Sequence, residues 1–261
     1  MRSLDTLRSR VYVGTALIMT AAVGALLSCS DSTTPDLSGT YFGPVVAIGG
    51  GTARSYATVD GLGVPTELGL ALTEAALTAL PAASTEYVFS LPSQASQTPF
   101  KHAVINWEPL GHPPAGVYTV PHFDFHFYMI TPEAREAIIL TDPAVAAKVA
   151  IKPSADNFPA GYIAGMISAR MGQHWRDPSG PEFNGQPFTG TIIYGSYDGA
   201  INFVEPMLAK SYLESKPLSV VTPLKLPATF GIRGYQPTSY TVRWDASTKE
   251  YRVALSGLVL R

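Results

Sequence analysis

Residues 120–130, VPHFDFHFYMI, constrain this chain more than any other stretch. Side chains on a strand point alternately to opposite faces. A strand here sends Pro121, Phe123, Phe125, Phe127 and Met129 one way, and Val120, His122, Asp124, His126 and Tyr128 the other. The phenylalanines mark a core side. The His, Asp, His side is then either a metal site or a solvated polar face.

The surrounding chain reads as mainly β. Short runs rich in Val, Ile, Tyr, Phe and Thr recur between Gly and Pro punctuation: TYFGPVVAI, EYVFSL, HAVINW, TIIYGSY and AINFVE. Two hairpins stand out: TIIYGSYDGAINFVE, turning at Asp198 and Gly199, and SYTVRWDASTKEYRVAL. Helix starts are few. Thr73 precedes EAALTAL, Thr131 precedes PEAREAII and Asp142 precedes PAVAAKVA, the last two with Pro at the first helical position. With 22 prolines and 23 glycines implying long connections, the expected fold is an antiparallel β-sandwich or a cupin-like barrel with a few short helices. A hydrophobic share of 46% against 15% charged residues supports a real core, and one β-rich domain is expected over residues 38–261.

The first 28 residues read as a leader rather than as part of the fold. Arg2, Arg8 and Arg10 precede an apolar run from Val11 to Leu27 that closes in LLSCS. This resembles a bacterial lipoprotein signal, which implies cleavage before Cys29 and lipidation of that cysteine. Cys29 is the only cysteine, so a disulfide within the chain and thiol catalysis are both excluded. Residues 29–37 then serve as a lipidated, flexible tether. Ser30 after the cysteine resembles lipoproteins sorted to an outer membrane. Without residues 1–28, 15 basic and 19 acidic residues remain, a net charge of about −4 that offers no basic surface for nucleic acid.

Spacing decides which of the five histidines can share an ion. Residues four apart on a strand lie about 13 Å apart, and residues two apart about 6.6 Å. His122 and His126 are therefore poor co-ligands unless a bulge shortens the strand. The expected set pairs Asp124 with His126 or His122 and is completed by His174, from RMGQHWRDP, and by Glu205, at the end of AINFVE. Two histidines and a carboxylate with open positions suit a divalent ion such as zinc, iron, manganese or copper. His112, in EPLGHPPAG, and Tyr128 are candidates for a site rim, with Tyr194 and Tyr197 as further lining; His102 is assigned no role. AIGGGTARS lacks the spacing of a dinucleotide or phosphate loop, and GSYDG is not a nucleophile elbow.

Taken together, NWEPLGHPPAGVY, PHFDFHFYMI, MGQHWRDP, PEFNGQPFTGTIIYGSYDG, FVEPM and YQPTSYTVRWD resemble a bacterial family of secreted proteins and lipoproteins carrying a domain of unknown function. The likeness spans most of residues 39–257 and is most specific over Pro121–Met129 and Met171–Pro178. It implies an envelope protein whose His and Asp motifs form a site. A looser likeness to cupins rests on the spacing from Gly116 to His122, but Asp124 stands where their second histidine belongs. The pattern His122, Asp124, His174 is similar to that of iron and 2-oxoglutarate oxygenases, yet no arginine is placed to hold the cosubstrate.

Two functional classes follow. One is a lipid-anchored envelope protein with a metal centre that activates a ligand or water. The other is a non-catalytic lipoprotein that uses the same face to hold a small molecule or another copy of itself. Both share the anchor. Cys29→Ala is expected to release the protein from membranes or to stall its maturation, read by fractionation and by the mass of the mature chain.

Overall fold

The computed structural model describes residues 35–261, so the expected leader and Cys29 lie outside the described residues. The chain begins with β1 (Gly39–Ile48), β2 (Gly51–Val59) and β3 (Pro65–Thr73), then crosses to β4 (Thr85–Ser90), β5 (His102–Glu108) and β6 (His122–Tyr128). Two short helices, α1 (Pro132–Glu136) and α2 (Pro143–Val149), precede β7 (Ile163–Ser168), β8 (Gly172–Arg176), β9 (Gly190–Tyr197) and β10 (Ala200–Ala209). After α3 (Lys210–Glu214) the chain returns through β11 (Val220–Pro223), β12 (Tyr235–Gln236), β13 (Ser239–Asp245), β14 (Glu250–Ser256) and β15 (Val259–Leu260).

The strands form two large antiparallel sheets. One runs β1-β2-β3-β14-β13-β11 and the other β4-β5-β6-β10-β9-β8-β7, with β12 and β15 as a separate ribbon. Both sheets are open, with β1 and β11, and β4 and β7, as their edges. Of the two expected forms the sandwich is therefore the one built. Leu68, Leu70, Leu72, Val253 and Leu255 from the first sheet share one core with Ile105, Phe123, Phe125 and Phe127 from the second. Ser55 Oγ donates to the Ser90 carbonyl at 2.5 Å and ties the sheets together near one edge.

Local sequence explains most elements. The β9–β10 hairpin turns at Asp198 and Gly199, both at positive φ (53° and 77°), as a two-residue turn between twisted strands requires. Thr131 accepts from the Ala134 amide at 3.2 Å and Asp142 from the Ala144 amide at 2.8 Å, so both expected N-caps are formed. Thr73 behaves differently. Its hydroxyl accepts from the Thr52 amide across the sheet, and the residues after it make only a 3₁₀ turn, Glu74–Leu77.

The second sheet is covered on its outer face as well. The β5–β6 loop brings Tyr118 within 5.0 Å of Phe188, from the β8–β9 connection, and Phe188 lies 5.8 Å from His122. At the other end, α1 sets the Arg135 guanidinium 5.1 Å above the Tyr128 ring and pairs it with Glu86. Every residue of β6 is consequently buried. The solvated-face alternative for His122, Asp124 and His126 does not occur. Phe125 is fully buried in the shared core, and Phe125→Ala is expected to cost about 3–5 kcal/mol in a denaturant titration of the full chain.

Candidate metal centre

Alternation carries the core side of the sheet through neighbouring strands. On β10, Val204 and Leu208 enter the core, which leaves Glu205 and Met207 on the outer face; on β8, Trp175 enters it and leaves His174 outside. Antiparallel pairing then sets register. The β6–β10 ladder matches Phe203 with Tyr128 and Val204 with Phe127, and resumes at Met207 with Asp124. Pro206 has no N–H to give, and Glu205 sits in that interruption, facing His126. The strand therefore continues through Pro206 to Ala209 rather than ending at Glu205, and Glu205 is buried on the covered outer face.

Among the described residues, two groups of three have donor atoms within 4.8 Å of one another: His126, His174 and Glu205, and His112, His122 and Asp124. The expected grouping of Asp124 with His126 and His174 is thus divided. Asp124 turns toward His122 and the loop residue His112, and Glu205 takes its place beside His126 and His174. His112, read as a rim residue, belongs to a ligand group, and His122 and His126 fall in different ones.

In the first group His126 Nε2 lies 3.4 Å from Glu205 Oε2, and His174 Nε2 lies 4.0 Å from the same oxygen. In the second, Asp124 Oδ1 is 3.2 Å from His122 Nε2 and Oδ2 is 3.5 Å from His112 Nε2. Ligands on a tetrahedral ion at about 2.1 Å stand about 3.4 Å from each other, so these separations suit a shared cation. Neither the His126–Glu205 nor the His122–Asp124 contact forms a hydrogen bond. Both ring nitrogens of His126, Nδ1 of His174, Oε2 of Glu205, Nε2 of His122 and Oδ1 of Asp124 are buried without a hydrogen-bond partner. Buried polar atoms left in this way cost free energy that a bound cation would recover.

Packing supports the first group from below. Phe203 stands 4.9 Å from the His126 ring and 5.2 Å from the His174 ring. Its own ring needs the space over Gly195, where an added Cβ would lie 1.9 Å from Phe203 Cε1. Any side chain at 195 would displace Phe203, the ring that packs against both histidines. Sequence reading passed over Gly195 because a lone glycine in a strand announces close approach without naming the partner.

A cavity of about 260 Å³ opens at the first group. His174 and Glu205 line it with Ile193, Arg176, Met166, Gly165 and Ala164, and His112, Pro113, Pro114 and Tyr118 form the loop side. The tyrosines lie elsewhere than expected. Tyr128 is sealed between His102 and His126, with ring centroids 4.8 and 5.5 Å away, and Tyr194 faces the core with its hydroxyl donating to the Lys225 carbonyl. Tyr118, not singled out from sequence, stands on the cavity wall and donates to Glu182 at 3.1 Å.

Burial sets the electrostatics. It pushes His126 down to about 3 and His174 down to about 4, which keeps both imidazoles neutral. It also raises the Glu205 carboxyl well above the carboxylate range, helped by the charge on Asp124. For Asp124 burial acts upward too, but His112 and His122 outweigh it and hold this carboxyl below its usual value. His112 is opposed by burial and raised on balance by Asp124. His102, whose Nδ1 donates to the Ile130 carbonyl, is brought down to about 4 by burial.

The class these features define is an antiparallel β-sandwich with His and carboxylate groups able to hold a metal ion. A family model described as TTHB210-like, hypothetical protein TTHB210, matches residues 60–107, and over that segment the chain is similar to a family without an assigned function. The matched segment spans β3 to β5 and contains none of the six grouped residues. Neither a curated protein nor a solved structure matches the chain.

The shifts give a signed pH dependence for the metal-free chain. Between the carboxylate range and about 6.5, the unfolded state protonates His102, His126 and His174, whereas the folded state resists. Glu205 opposes this with one proton bound by the folded state. The unfolded chain then binds about two more protons, so stability falls as pH drops from about 6.5 toward about 4. Melting of the metal-free protein across that window is expected to show the decline, with a shallower slope in His126→Ala.

Proposed function

We propose that this chain is a lipid-anchored protein of the cell envelope whose second sheet holds a divalent metal at His126, His174 and Glu205. The metal reading is carried by one observation: three buried residues from three strands bring donor atoms together, with both His126 nitrogens, His174 Nδ1 and Glu205 Oε2 lacking hydrogen-bond partners, beside a cavity lined by His174 and Glu205. The envelope reading is supported by the Arg-bearing leader, the LLSC run and the single cysteine, in keeping with the resemblance to secreted proteins and lipoproteins.

The residues divide the work. Glu205 brings negative charge, and His126 and His174 bring neutral imidazoles whose lone pairs burial keeps free of protons. An ion held there would supply Lewis-acid polarisation to a ligand entering through the cavity. Arg176 offers a cationic contact and Met166 and Ile193 an apolar one, which suits a small molecule bearing an anionic group. A scaffold role would need a closed or flat face, and the cavity favours ligand access instead.

The test is calorimetric titration of the full chain, purified without a His tag and stripped of metal, with zinc, iron(II), manganese(II) and copper(II). His174→Ala and Glu205→Gln are each expected to remove one equivalent of bound ion, and the double variant to lose no more, because the ligands act as a unit. Uptake at neutral pH is expected to release a proton from Glu205, seen as a heat that varies with buffer, and Glu205→Gln removes that release. Unchanged stoichiometry in both variants overturns the site.

A further inference from the structure

We propose a second cation site at His112, His122 and Asp124, where a divalent ion clasps the β5–β6 loop onto strand β6. The site stands on its own geometry, independent of the His126, His174 and Glu205 group.

Its case is the direction of the imidazole hydrogens. His122 Nδ1 lies 2.8 Å from the Val120 carbonyl, and His112 Nδ1 lies 2.9 Å from the Pro113 carbonyl. A carbonyl only accepts, so each Nδ1 carries a hydrogen, and in the neutral ring each Nε2 presents a lone pair. Both Nε2 atoms face the Asp124 carboxylate, one toward each oxygen, at 3.2 and 3.5 Å. With both rings neutral, acceptor opposes acceptor twice around one buried carboxylate; a proton on Nε2 relieves this one ring at a time, whereas a single cation between them turns both contacts into bonds. A backbone carbonyl holding the other ring nitrogen is also the usual support of a metal-ligating histidine. Two imidazoles and one carboxylate favour zinc or a neighbouring transition ion over magnesium or calcium.

The consequence is mechanical. His122 and Asp124 are set in β6, whereas His112 rides on the loop whose Pro113, Pro114 and Tyr118 form one side of the cavity. An ion shared by all three fixes that wall to the sheet. Within the loop, the His112 amide donates to Tyr118 and the amides of Val117 and Tyr118 donate to Pro114, at 3.2–3.3 Å. These amides report whether the wall is clasped.

Zinc stoichiometry and hydrogen exchange of the full chain test the site. His112→Ala removes a partly exposed side chain and leaves the core intact, and Asp124→Asn preserves shape while removing charge. Wild type is expected to bind two zinc ions, each variant to lose one, and zinc to slow exchange at residues 112, 117 and 118 in wild type only. A single ion lost in His112→Ala but kept in His126→Ala supports this site and removes the other. A single ion kept in both His112→Ala and Asp124→Asn but lost in His126→Ala overturns this site and leaves the other standing. No zinc bound by wild type overturns both.

Discussion

Burial of β6 on both faces is the constraint on which the rest of this structure depends. Its inner residues, Phe123, Phe125 and Phe127, join the sheets of the sandwich, and removing such rings from water is the main favourable term in folding. The same strand carries His122, Asp124, His126 and Tyr128 into an interior where unpaired polar groups are costly. Partners for that face must come from other elements. They arrive as Glu205 from β10, His174 from β8, His112 from the loop before β6 and Arg135 from α1.

Strand geometry then divides the face. His122 and His126 lie two pleats apart, about 13 Å, too far to share ligands of one ion. Each has found its own carboxylate, and the side chain between them, Asp124, turns to the His122 end. Its charge nonetheless reaches Glu205 and helps to keep that carboxyl protonated in the absence of metal. The two groups are electrostatically linked although their ligands are separate. A cation on Asp124 would lessen the pressure on Glu205 and ease its ionisation.

Residues 60–107, the segment similar to a family of hypothetical proteins, include β5, which pairs with β6 along one side, and β4 beyond it. The chemistry lies beyond them. A protein that shared only β3 to β5 with this chain would share part of the frame and none of the ligands. The functional reading therefore rests on the donor atoms themselves: their burial, their separations and the cavity at which they meet.

What the sequence by itself determined is local. The two-residue period of HFDFHFY separated core from site, Asp198 and Gly199 specified a tight turn, and Thr131 and Asp142 marked helix starts through their own hydrogen bonds. The strand rise alone already spoke against His122 and His126 sharing an ion. Other readings were beyond its reach. Thr73 was drawn into a sheet contact with Thr52, Glu205 was buried on the outer face of a strand that runs on through Pro206, and Tyr128 was sealed beneath Arg135. The grouping of ligands was decided by register between β6 and β10, by the position of β8 and by the path of the loop that carries His112. Those depend on how distant segments pack, and local periodicity carries no record of which distant side chain will meet a given face.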